Sequence, residues 1–188
     1  HSTKDSSSQG GGFERALGTL THRMIELRIR ALREGEAAEP DPEWVAALFS
    51  DAAGRDRDRA LEEAAAMADR FFESDLWSDL GGGDRVESEL SVLSRYDHPE
   101  LGTLFVQGQF DLYVETGEIC RIVDFKTDRS LAAEEYRYQI ALYRDAAAKL
   151  SNRTVEASLF GLREGRVAEV PPVDPGELDE LILAYVVG

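Results

Sequence analysis

Asp111, Asp124 and Lys126 have the types and spacing most suggestive of chemistry in this chain. Asp124 and Lys126 stand two apart near the end of the run Cys120-Arg121-Ile122-Val123-Asp124-Phe125-Lys126-Thr127-Asp128, which otherwise reads as a buried strand. Lysine is scarce: of 21 basic residues only Lys4, Lys126 and Lys149 are lysines. Residues two apart on a strand share a face, so Asp124 and Lys126 project together. A second strand, Gln107–Glu115, precedes this one, with Thr116-Gly117 as the turn. That turn sets Glu115 opposite Glu118, Phe110 opposite Val123, Gly108 opposite Phe125 and Gln109 opposite Asp124. Asp111 then lies one diagonal step from Asp124, roughly 7–8 Å away at the backbone, close enough for two carboxylates to converge on one cation. A slip of one residue would scatter the set to opposite faces. Two carboxylates so placed and partly buried repel each other without a counter-ion. A divalent metal, with the lysine completing the charge balance, is one solution. An Asp–Lys–Asp ladder on an exposed sheet face is the other, and spacing leaves both open.

The elements that must position these residues can be read along the chain. Residues 1–12 are polar and small and read as a disordered tail or linker, leaving 13–188 as one domain. From Phe13 to Glu34, apolar residues recur at Leu17, Leu20, Met24, Leu27 and Ala31 with helical spacing, and Gly35 suits the end. Asp41-Pro42-Glu43 caps a second helix through Trp44, Leu48 and Phe49. The alanine- and glutamate-rich stretch Arg59 to Asp75 predicts a third, halted near Leu80 by three glycines. The period then changes to two. Val86–Leu93, Leu104–Glu115 and Glu118–Lys126 predict a three-strand meander, with a turn at Tyr96–Glu100. Ala132–Leu150 reads as a helix, Val155–Leu162 and Arg166–Val170 as strands, and Pro175–Val187 as a closing helix. The fold class is α/β, a mixed sheet flanked by helices with a helical N-terminal portion.

Composition narrows the partners. The chain has 188 residues and a formal net charge of −16, a surface that repels nucleic acid at low salt. Abundant Asp and Glu with little lysine resembles proteins of salt-accumulating halophiles, where molar salt shortens the Debye length to roughly 3 Å. No apolar run approaches the roughly 18 residues of a membrane span, so no membrane partner is expected and the expected home is cytoplasmic. A single cysteine, Cys120, excludes an internal disulfide and a four-cysteine iron–sulfur cluster. Cys120 reads as a small hydrophobe, and His98, in a proline-containing turn, as exposed and inert.

The run GQFDLYVETGEICRIVDFKTD, followed by YRYQIALY, resembles the nuclease domain of RecB and AddA in the PD-(D/E)XK superfamily. The matching positions are Asp111, Asp124, Lys126, Tyr136, Gln139 and Tyr143. Gly18-Thr19-Leu20-Thr21-His22 resembles that family's Gly-Thr-x-x-His signature, and Glu89 falls where it carries a glutamate near the first core strand. The resemblance covers about residues 16–150 in the expected order.

It implies a restriction-endonuclease-like core and a Mg²⁺- or Mn²⁺-dependent deoxyribonuclease, exonucleolytic rather than endonucleolytic. Asp111, Asp124 and His22 would be its metal ligands, with the Phe125 carbonyl in reach. Lys126 would orient the attacking water and offset charge on the scissile phosphate. Glu89 would sit at the edge of the site, although Glu87 shares its face. Gln139, Tyr136 and Tyr143 lie on one helix face and would border the substrate, or else pack against Ile140. The substrate implied is single-stranded DNA or unwound duplex ends. The implied partner is a helicase motor, in cis or as a separate chain, acting in double-strand-break repair and recombination. With one cysteine, the cluster-bearing branch of the clan is excluded. The abrupt polar start suggests an excised C-terminal domain. The competing reading is a catalytically inactive DNA-end-binding or partner-docking module of the same fold.

Overall fold

The computed structural model describes residues 6–36, 38–50 and 54–187. Its elements run α1 (Ser6–Glu34), α2 (Pro42–Leu48), α3 (Gly54–Phe72), α4 (Asp75–Leu80), β1 (Arg85–His98), β2 (Gly102–Thr116), β3 (Ile119–Lys126), α5 (Ala133–Ser151), β4 (Thr154–Gly161), β5 (Arg166–Glu169) and α6 (Pro175–Val187). The five strands form one sheet in chain order. β1–β2, β2–β3 and β4–β5 pair antiparallel; β3–β4 is parallel, with α5 as its crossover.

The sheet is the middle of three layers. On one face Leu17, Leu20, Ile25 and Ile29 of α1 and Ala64, Met67 and Phe71 of α3 pack against Leu112, Val123, Phe125 and Phe160. Phe71 is the hub, with ring centroids 4.8 Å from Phe125, 5.3 Å from Phe160 and 5.4 Å from Trp77. The other face packs Phe110, Tyr113, Ile122 and Leu159 against Ile140, Ala146 and Ala147 of α5. Cys120 is buried in that second layer, as expected of a small hydrophobe.

The structure departs from several expectations. α1 starts at Ser6, so residues 6–12, expected in the tail, are helical; residues 1–5 lie outside the described residues. The predicted third helix is two, broken where the Ser74 side chain caps α4 by accepting from the Trp77 N–H at 3.2 Å. β1 does not turn at Tyr96 but runs to His98, because α6 receives this end: the Tyr96 hydroxyl donates to Asp179 Oδ1 at 2.8 Å. His98 is buried rather than exposed. Its Nδ1 accepts from the Glu100 and Leu101 amides, both at 3.1 Å, so Nε2 carries the proton toward the Asp179 carbonyl, 2.9 Å away.

The hairpin register also differs. Thr116 pairs with Ile119, Glu115 with Cys120 and Leu112 with Val123, two residues away from the expected alignment. The loop is Gly117-Glu118, with Gly117 at φ 55°, the first central position at which a type II′ turn favours glycine. A shift of two by itself leaves the alternation of faces unchanged along the paired segment Leu112–Thr116.

One irregularity shapes the site. β1 and β2 pair continuously from Arg85↔Glu115 to His98↔Gly102 except at Glu89 and Asp111, and Glu89 has φ 52°. Val86, Leu112 and Val114 face α1, whereas Leu90, Val92 and Phe110, of the same parity, face α5. The two strands therefore exchange faces together at Glu89 and Asp111. A non-glycine residue in the left-handed region costs about 1–2 kcal/mol.

Candidate metal centre

The centre is assembled where α1 meets that break. A Cβ at Gly18 would lie 3.1 Å from Thr127 Oγ1, so glycine there lets α1 lie close against the residues after β3. Four residues on, the His22 ring meets Phe125 edge to face at 5.8 Å. His22 Nδ1 stands 3.4 Å from Asp111 Oδ1 and 3.5 Å from Glu89 Oε1. His22, Glu89 and Asp111 each offer one ligand atom, all within 4.8 Å of one another. The other Asp111 oxygen accepts the Phe125 N–H at 2.6 Å, anchoring the carboxylate just past the end of the β2–β3 ladder. Phe125 thus contributes its amide here.

Asp124 and Lys126 occupy the neighbouring position. Lys126 Nζ lies 2.6 Å from Asp124 Oδ2. That contact is an ion pair without hydrogen-bond geometry, so the buried oxygen has no hydrogen-bond donor. Asp124 is 5% exposed. Burial, then the charge of Asp111, pushes its carboxyl up to about 6, against the pull of Lys126. Burial lowers the His22 imidazole, but hydrogen bonds and charge from Asp111 and Glu89 overcome it and raise it to about 10. The His22 shift reports the two carboxylates at its ring, and the Asp124 shift reports first its burial and then the charge of Asp111.

The aromatic stripe of α5 divides. The Tyr136 ring lies 4.2 Å from Lys126 Nζ, and its hydroxyl donates to Asp128 Oδ2 at 2.7 Å. Tyr143 packs instead on the sheet, 5.2 Å from the Phe110 ring; a Cβ at Gly108 would come within 2.8 Å of it. Gln139 lies between them and donates to the Tyr143 hydroxyl at 3.2 Å. Of the expected residues, the structure clusters His22, Glu89 and Asp111, sets Asp124–Lys126–Tyr136 beside them, and uses Tyr143 as scaffold.

Other residues of this region escaped sequence reading. Asp128 comes soon after Lys126, and its position just past the strand was the available signal. Trp44 comes from α2 and, with Arg23, His22 and Glu89, lines a cleft of about 360 Å³. Arg163 donates to the Thr127 carbonyl at 2.6 Å and pairs with Glu14 and Glu63, tying the loop after β3 to α1 and α3. Neither distant contact leaves a trace in local spacing.

The donor set of His22, Glu89 and Asp111 suits a divalent cation: hard carboxylate oxygens and one imidazole nitrogen, with the Asp124–Lys126 pair beside them. A mixed sheet between helical layers thus carries carboxylates and a lysine at the end of a central strand. The family model for the PD-(D/E)XK nuclease superfamily matches residues 4–184, and the chain belongs to that superfamily.

Among curated proteins, the chain is 30% identical over 118 residues to an ATP-dependent helicase/nuclease subunit of Bacillus pumilus (strain SAFR-032). That match covers 52% of this chain and 10% of the relative, so the chain spans a small part of that protein's length. Among solved structures, SSO0001 is 17% identical with a TM-score of 0.41, covering 77% of this chain and 69% of that one. A chain from Eubacterium rectale is 9% identical with a TM-score of 0.43, covering 100% of this chain and 84% of that one. Among the described residues, no helix is long and apolar enough to cross a membrane.

Proposed function

We propose that this chain is a Mg²⁺- or Mn²⁺-dependent deoxyribonuclease domain that hydrolyses phosphodiesters of single-stranded or unwound DNA ends. We place it in a RecB/AddA-like helicase–nuclease of double-strand-break repair, acting as an exonuclease. The observation that carries this reading is the convergence of His22, Glu89 and Asp111, from three separate elements, beside the Asp124–Lys126 pair.

In this reading His22, Asp111 and Glu89 would hold the cation, with the Asp124 carboxylate, paired with Lys126, beside them. A bound divalent ion polarises the phosphodiester and lowers the pKa of a water. Lys126, held by Asp124 and lying over the Tyr136 ring, orients the attacking water and balances charge on the scissile phosphate. The Phe125 amide fixes Asp111 so that one of its oxygens stays directed at the cluster. Tyr136 and Gln139 border the substrate. A chain with net charge −16 attracts DNA poorly, which favours delivery by a motor; the resemblance to a helicase/nuclease polypeptide supports that partner.

The test is cleavage of single-stranded DNA in Mg²⁺ or Mn²⁺ by Lys126→Ala and Asp124→Asn. Each should lose roughly 10²–10³-fold or more in rate, with unchanged circular dichroism. Cleavage at the wild-type rate by either variant would overturn the assignment.

A further inference from the structure

Beyond the break at Glu89 and Asp111, β1 and β2 continue as a two-stranded ribbon covered on one side only. The residues facing α5 and α6 are half-buried or buried, while Ser91, Leu93, Arg95, Phe105, Gln107 and Gln109 are exposed. Leu93 and Phe105 are each 70% exposed, among the most exposed large hydrophobic side chains described. They belong to neighbouring cross-strand pairs, Leu93↔Gln107 and Arg95↔Phe105, so they are diagonal neighbours on one face. Because the strands exchange faces at Glu89 and Asp111, this open face is on the α1 side, the side from which His22 approaches. At about 3.3 Å per residue, Leu93 lies about 13 Å from Glu89, and Phe105 about 20 Å from Asp111.

We infer that this ribbon face is a track for single-stranded DNA, in which bases stack on Phe105 and pack on Leu93 while the strand leads into the metal cluster. The inference rests on the nuclease reading and extends it by assigning the substrate a path. Charge favours a nucleic acid here over the rest of the surface. In a chain with net charge −16, this face is locally neutral: its one acid, Asp97, is exposed on the same side but pairs with its one base, Arg95, at 2.9 Å and accepts from Thr103 at 2.8 Å. Stacking does not depend on sequence, because every base offers a π-face. Gln107 and Gln109 present amides able to donate to phosphate oxygens; Gln109 also donates to the Glu89 carbonyl at 3.1 Å, linking the track to the cluster.

The test is fluorescence anisotropy with a labelled dodecathymidylate, Ca²⁺ replacing Mg²⁺, on wild type, Phe105→Ala and Phe105→Trp. Phe105→Ala should weaken binding about tenfold, within the range for losing one stacked base, with its melting temperature unchanged. Phe105→Trp should keep wild-type affinity and add a tryptophan signal quenched on binding. Equal affinities for wild type and Phe105→Ala would overturn the track, as would failure of the wild type to bind. A change confined to self-association in size-exclusion chromatography would also overturn it, marking the face as a contact between copies. Cleavage in Mg²⁺ is scored separately. Phe105-dependent binding without cleavage keeps the track and fails the nuclease reading. Cleavage with Phe105-independent binding does the reverse.

Discussion

The inner and outer halves of the β1–β2 hairpin share strands and register but differ in what covers them. Arg85–Ser88 with Leu112–Glu115 lies between α1 and α5, with Leu112 and Tyr113 fully buried. Among the described residues, Leu90–His98 with Gly102–Phe110 has α5 and α6 on one side and an exposed face on the other. The cluster sits at the line between them. Helical cover supplies His22 and a partly dry environment, and the open half supplies access. The face exchange at Glu89 and Asp111 lets one pair of strands serve both. It concentrates backbone strain at the residue best placed to be functional, the pattern expected where strain is retained for a site.

Stability should respond very differently in the two halves. Leu112→Ala removes a fully buried side chain from the covered half and should cost about 2–5 kcal/mol, read as a large drop in denaturant midpoint. Phe105→Ala, in the open half, should stay within about 0.5 kcal/mol of wild type. Similar losses for both would erase the distinction.

A subtler break concerns the boundary. Glu89→Gly removes a side chain from a left-handed backbone, so the chain should keep its stability or gain up to about 1 kcal/mol, while metal-dependent cleavage falls. A loss of several kcal/mol would mean that Glu89 is there for the fold.

Much of this was legible in sequence because it is local. Helical spacing in α1, the period of two in β2 and β3, and the Asp-x-Lys run all reflect side-chain direction within one element. Gly117 marked the turn, yet its conformational freedom at the first central position moved the register by two. The face exchange was invisible for a specific reason. Val86, Leu90 and Val92 keep a period of two straight across it, because apolar layers wait on both sides of the sheet. Without that exchange Asp111 appeared to share a face with Asp124 and Lys126. In the structure its nearest cluster partners are His22 and Glu89, with Asp124 engaged by Lys126. His98 was misread because its burial is decided by α6, whose Asp179 lies 81 residues further along the chain.

The central claim is that the face exchange builds a metal centre, and protons are the metal's competitors there. The His22 pKa is raised from 6.5 to about 10, so its contribution to stability is full below 6.5 and is lost as pH rises toward 10. The Asp124 carboxyl is raised from 3.8 to about 6, so its ionisation destabilises the metal-free fold as pH rises across that interval. Both shifts make the metal-free protein less stable at higher pH, and a bound cation would take the place of the protons. The most direct measurement is therefore the melting temperature with and without Mn²⁺ from pH 6 to 9, for wild type and Asp111→Asn. Mn²⁺ should stabilise the wild type by a margin that grows with pH, and should leave Asp111→Asn nearly unchanged. An equal Mn²⁺ response in the two proteins, or one that shrinks as pH rises, would contradict the account.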